Sequence, residues 1–241
     1  MTCGFGEEGV SVMLVFLAVL PALVLVVWIY KKDKVEREPI GLLLKIFLFG
    51  VISVVPAVAL ELLFEVVLEE FIPDESALAY VIIDNFLGVA LIEEFCKLKA
   101  AKLAAWKHPA FNYKFDAIVY CVTAALGFAA IENVFYVLEG GVATAAMRAL
   151  LSIPCHAVAG IIMGYFFGVA KEAESYGDRR RRRRYLRLGV LMPTLEHGIY
   201  DSALSLDYDW IFIVLIVFVV IVDIWAICFV KKQSAADREI V

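Results

Sequence analysis

Apolar residues in this 241-residue chain neither alternate with polar ones nor keep to one helical face. They run in long stretches separated by short charged connections. Crossing a hydrocarbon core takes about 20 such residues in a helix. The stretches fall at about 10–30, 41–68, 78–105, 116–138, 143–170, 186–206 and 210–230. Unbroken runs argue against a membrane barrel, whose strands alternate with period two. The pattern predicts an all-α polytopic membrane protein: a single domain over 1–241, one bundle of about seven transmembrane helices, with the motif-bearing core at about 78–206.

The connections fix an expected orientation. "KKDKVER", the lysines around the end of the third span (Lys97, Lys99, Lys102, Lys107, Lys114), "DRRRRRRYLR" and the closing "KK" fall on one side. "EEFIPDES", "LEGG" and "SLDYD" fall on the other. Basic loops stay cytoplasmic, so the N-terminus is expected outside and the C-terminus in the cytoplasm. The run Arg179–Arg184 reads as a topology anchor against anionic lipid, not as a nucleic-acid site.

Composition agrees. Hydrophobic residues make up 63%, against roughly 45–50% in soluble domains, and the mean hydropathy is +0.85. The net charge of −5 says little about partners, because the basic residues are clustered. The cysteines (Cys3, Cys96, Cys121, Cys155, Cys228) form no CxxC pair, and all but Cys3 fall in spans, where they read as small apolar residues. The first span lacks a basic leader and is followed by "KKDKVEREP", which suits an uncleaved helix.

Ionisable residues inside spans are functional candidates, each costing about 2–3 kcal/mol to insert. The third span holds Glu93, Glu94 and Lys97; the fourth Glu132 and Asn133; the fifth Arg148 and His156; the sixth Glu196, His197 and Asp201. Counted from the outer end of each span, Glu93 lies roughly 22 Å deep, His156 about 20 Å, His197 about 14 Å, and Glu132 and Asp201 about 8–9 Å. The stripe His156, Gly160, Gly164, Gly168 marks a face packed on a neighbouring helix. His197 and Asp201 share a face, so the carboxylate can orient the imidazole. Lys97 can pair with Glu93 one turn away, while Glu94 points about 100° elsewhere. Glu61, Glu65, Arg148, Glu196 and Asp223 are isolated or near span ends and read as packing groups.

The catalytic candidates are therefore Glu93, Glu94, Glu132, His156 and His197, supported by Lys97, Asn133 and Asp201. Two chemistries suit the set. His156, His197 and Glu93 can hold a divalent metal, zinc being the usual choice, that lowers the pKa of a bound water. Without metal, a Glu–His pair can activate water while an amide such as Asn133 stabilises an oxyanion. Both are hydrolysis within the bilayer. A proton- or ion-coupled transporter needs the same groups and is the alternative, although no internal repeat is visible. Ordinary retinal attachment is excluded, since the last span has no intramembrane lysine.

Four motifs carry a family resemblance. "EEFCK", "GFAAIEN", "HAVAGIIMG" and "HGIYD" resemble, in order over about residues 91–201, the signatures of the PrsW family of intramembrane proteases, related to the CAAX prenyl endopeptidases and the ABI proteins. The resemblance implies a multi-pass protein of the bacterial cell membrane. It implies site-1 cleavage of a membrane-anchored anti-sigma factor, with the bilayer and that substrate as partners and no nucleic acid. Glu93 and Glu94 match the superfamily's Glu-Glu motif, and His197 with Asp201 match its late His motif. Glu132 stands four residues after Phe128, where the wider superfamily has His. Asp116-Ala117 departs from the family's frequent Asp-Gly. A cavity entered from the extracytoplasmic side is expected.

Overall fold

A computed structural model describes residues 7–206 and 208–240; Cys3 lies outside them. The helices are α1 (Glu7–Lys32), α2 (Ile40–Phe71), α3 (Leu78–Ile83), α4 (Leu91–Ala105), α5 (Asp116–Leu150), α6 (Ser152–Ser175), α7 (Arg179–Ser205) and α8 (Asp209–Ala235). A π-helical stretch, Asp84–Ala90, joins α3 to α4 in one helical run. Such wide turns are uncommon and concentrate at functional sites; this one immediately precedes Glu93 and Glu94. No strand forms among the described residues.

Gly9–Lys32, Ile40–Phe71, Asp116–Ser175 and Asp209–Ala235 are long and apolar enough to cross a membrane. The chain is thus an all-α polytopic membrane protein. Burial sorts the layers: 78% of the most apolar window of 116–175 is enclosed, against 17% for α8. The paired α5 and α6 form the centre, α1, α2 and α7 pack on them, and α8 lies at the edge.

Close helix approach explains the small residues. A Cβ on Gly50 of α2 would lie 2.2 Å from the Ala124 carbonyl oxygen, and one on Gly127 of α5 would lie 2.2 Å from that of Phe47. The stripe below His156 packs on α5: a Cβ on Gly160 would meet Val122 Cα at 2.8 Å, and one on Gly164 would meet Ile118 Cα at 2.5 Å.

One boundary differs from expectation. The spans at 116–138 and 143–170 divide within "LEGG", but the second does not run straight on to its end. Helix α5 breaks at Gly141 (φ 74°, ψ −160°) and resumes as a short limb to Leu150; α6 starts at Ser152. Glycine admits the positive φ, and an apolar run alone does not show which way the chain turns. His156 therefore lies about one turn inside α6, roughly 6 Å from its start.

The basic connections gather at one end. Ser234 donates to the Lys32 carbonyl at 2.5 Å, Lys171 to that of Trp106 at 2.8 Å, and Lys114 pairs with Glu172 at 2.6 Å. The C-terminal segment closes this end: the Ile240 amide donates to the Asn112 carbonyl at 2.7 Å, and the Lys114 amide to that of Arg238 at 3.1 Å.

Candidate active site

Four elements deliver the polar residues to one place. Helix α4 contributes Glu93, Glu94 and Lys97 in its first two turns, α5 contributes Glu132, α6 His156, and α7 His197 and Asp201. Lys97 is fully enclosed. Its ammonium lies 2.9 Å from Glu93 Oε2, 2.7 Å from Glu94 Oε1 and 3.0 Å from His156 Nδ1, and 4.6 Å from the Phe128 ring centre. It pairs with both carboxylates, not the single one that spacing suggests.

Each imidazole is held from behind. His197 Nε2 meets Asp201 Oδ2 at 3.0 Å and its Nδ1 meets Glu94 Oε1 at 3.0 Å. His156 Nε2 meets Glu132 Oε2 at 3.0 Å. Both Nδ1 atoms therefore face the Glu93–Glu94–Lys97 centre, and the rings lie 5.2 Å apart. A carboxylate on the outer nitrogen fixes tautomer and orientation. The two glutamates differ as their 100° separation implies. Glu94 is wholly enclosed and binds Lys97 and His197, with Oε2 lacking a partner. The Glu93 side chain keeps 8% exposure.

Two residues make contacts that spacing did not show. Asn133 donates to the Ala18 carbonyl at 2.7 Å and accepts from Arg148 Nε at 2.6 Å. With both ends of the amide engaged, it docks α1 and holds Arg148. Arg148, taken for a packing group, belongs to the site: Nη2 meets Glu132 Oε1 at 2.8 Å. No local signal marked it, because only the break at Gly141 folds the limb back onto Glu132. Among the remaining packing assignments, Glu196 takes the Cys155 thiol at 3.2 Å.

A cavity of about 250 Å³ reaches this cluster. His156, His197, Arg148 and Asp201 line it within the bundle, and Leu204 and Ser205 line it at the end of α7 opposite the basic connections.

Buried imidazoles and acids beside such a cavity suit hydrolysis. The family model described as PrsW family intramembrane metalloprotease matches residues 38–227. The chain belongs to the PrsW family. It is 38% identical over 227 residues to Protease PrsW of Clostridioides difficile, covering 92% of this chain and 90% of that one. It is 36% identical over 197 residues to Protease PrsW of Geobacillus kaustophilus, covering 82% of each. With Protease PrsW of Bacillus subtilis it shares 32% over 197 residues, covering 82% of this chain and 85% of the relative. No solved structure matches. This PrsW chain is a membrane-embedded protease and a multi-pass bacterial membrane protein, and the transporter alternative falls away.

The family description implies a metal, and the donors present fit one. Glu93, Glu94, His156 and His197 each offer a ligand atom, all within 4.8 Å of one another. Two imidazoles and two carboxylates are an ordinary set for a divalent ion, and both imidazoles already have the carboxylate partners that metal-bound histidines use. The Lys97 ammonium already bonds Glu93, Glu94 and His156 there, so an ion taking these donors would displace it.

Proposed function

We propose that this PrsW protein cleaves a membrane-anchored protein substrate, an anti-sigma factor at its first cleavage site, close to the substrate's outer juxtamembrane segment. The observation that carries this is the meeting of Glu93, His156 and His197 around Lys97, with a cavity leading from them to the end of the bundle opposite the basic connections. Under the positive-inside rule that end faces outward.

Without a bound ion, Glu93 is the general base. It is the less enclosed of the two acids and is held by Lys97, so it can take a proton from water. Glu94 is the clamp, fixing Lys97 and His197 in place. His197, backed by Asp201, and Arg148, lining the cavity, are placed to stabilise the oxyanion of the tetrahedral intermediate. His156 and His197 with Glu93 would hold a divalent metal, zinc by donor type, which when bound lowers the pKa of a water and polarises the scissile carbonyl. Glu132 and Asp201 orient the two imidazoles.

The test is cleavage of a single-span anti-sigma factor in proteoliposomes. A positioned base contributes about 10²–10⁴-fold, so Glu93→Gln should lose at least about 100-fold while the protein remains folded. Cleavage that survives Glu93→Gln refutes the assignment. Cutting on the side of the basic connections refutes the direction of access.

A further inference from the structure

At the basic end of the bundle, three carboxylates from distant parts of the chain meet. Asp33 and Glu38 lie in the α1–α2 connection and Asp116 opens α5. Each offers an oxygen, and these atoms lie within 4.8 Å of one another. All three residues are buried, Asp33 to 2% exposure.

Some of the oxygens are satisfied. The Tyr120 hydroxyl donates to Glu38 Oε2, and the Asn112 and Tyr113 amides donate to Asp116 Oδ2 at 3.0 and 2.7 Å. The rest are not. Neither oxygen of Asp33 has a hydrogen-bond partner, nor does Asp116 Oδ1, which faces Glu38. The Val35 and Glu36 amides face Asp33 without reaching hydrogen-bond geometry. The charge behind Asp33 is another acid, Asp237, held by the Phe115 and Arg238 amides at 2.9 Å each. Among the described residues no Lys or Arg forms an ion pair with any of the three. Lys32 and Arg37, nearby in sequence, lie over the Trp28 and Tyr30 rings.

A buried carboxylate without a donor is costly, and a cation or shared protons can relieve it. Oxygens bound to one calcium-sized ion at about 2.4 Å lie at most about 4.8 Å apart. An all-carboxylate set without nitrogen or sulfur favours a hard ion. We infer that Asp33, Glu38 and Asp116 form a second cation site, apart from the protease centre, that binds a hard divalent ion of the Mg²⁺/Ca²⁺ class and ties the α1–α2 connection to the start of α5. Burial, with Asp237 beside it, pushes Asp33 up to about 6, and burial pushes Glu38 up to about 7. The empty trio thus resists carrying its full negative charge. The site is independent of the peptidase reading.

The full-length protein in detergent, stripped with chelator and dialysed, is titrated with Mg²⁺, Ca²⁺ and Tb³⁺. Thermal unfolding, equilibrium dialysis and terbium emission excited through Tyr120 are read. Wild type and His156→Ala should both bind one ion and gain at least about 3 °C in Tm at saturation. Asp33→Asn and Glu38→Gln should each weaken binding about 10-fold or more, and Tyr120→Phe should dim the terbium signal. Should Asp33→Asn not fold, Glu38→Gln, which retains an acceptor for Tyr120, decides alone. No bound ion, or binding unchanged in both variants, overturns the site. A stripped Asp33→Asn protein more stable than wild type and indifferent to ions shows a shared-proton cluster and also overturns it.

Discussion

Lys97→Met removes one charge from the protease centre and leaves the stem in place. The ammonium makes contacts of 2.9, 2.7 and 3.0 Å with Glu93, Glu94 and His156 and is fully enclosed. Removing one partner of a buried ion pair costs about 3–5 kcal/mol, because the remaining charge is left unpaired. Glu94 keeps His197 Nδ1 at 3.0 Å, whereas the nearest His197 nitrogen to Glu93 is 3.8 Å away. Glu93 can relieve its isolation by taking up a proton, which sets the expected loss at the lower end, about 3 kcal/mol. At about 2–4 °C per kcal/mol for a chain of this size, Tm should fall by about 6–12 °C. Activity should fall about 100-fold or more, since a protonated Glu93 is no longer a base. Adding Glu94→Gln removes one of the stranded charges, so the double variant should recover about 1–3 kcal/mol relative to the sum of the singles. Thermal unfolding in detergent and proteoliposome cleavage are the assays. A Lys97→Met protein within about 1 kcal/mol of wild-type stability that still cleaves would falsify the role of Lys97 as counter-charge.

Three further outcomes follow from contacts on other elements. Arg148→Gln should cut cleavage about 10–100-fold with little change in Tm, and Arg148→Lys should recover only part, because one ammonium cannot reproduce the fork holding Glu132 and Asn133; equal rates in all three proteins would remove Arg148 from the site. Gly164→Ala should destabilise by about 1–3 kcal/mol, since its Cβ would sit 2.5 Å from Ile118 Cα, whereas Gly41→Ala meets nothing within 4 Å and should stay within about 0.5 kcal/mol of wild type; matched melting temperatures would refute the close α5–α6 contact. Glu94→Gln should lower Tm more than Glu93→Gln, because Glu94 is the fully enclosed acid joining Lys97 to His197; the reverse order would exchange clamp and base.

Much of the site was legible because helices translate spacing into facing. The i,i+4 pairs Glu93–Lys97 and His197–Asp201 appear as contacts of 2.9 and 3.0 Å, and the four-residue glycine stripe packs as its spacing implies. What spacing cannot carry is contact between elements. That Lys97 also takes Glu94 and His156, or that Asn133 spends its amide on α1, depends on how close the rods pack. An apolar run also does not show that the limb from Gly141 to Leu150 turns back toward Glu132. Arg148 was hidden by that same turn. It is an intramembrane cation whose acid partner precedes it by sixteen residues, more than four helical turns, with only a glycine pair to indicate that the chain doubles back. Asp116 shows the opposite limit. Its sequence position gave it no role, and its burial against Asp33 and Glu38 comes from the α1–α2 connection, about eighty residues away, folding over the start of α5. In a bundle this apolar, hydropathy locates the rods, while the few charges that must find partners determine which rods meet. Tertiary pairing of those charges, rather than apolar packing, therefore sets the arrangement of the buried polar layer.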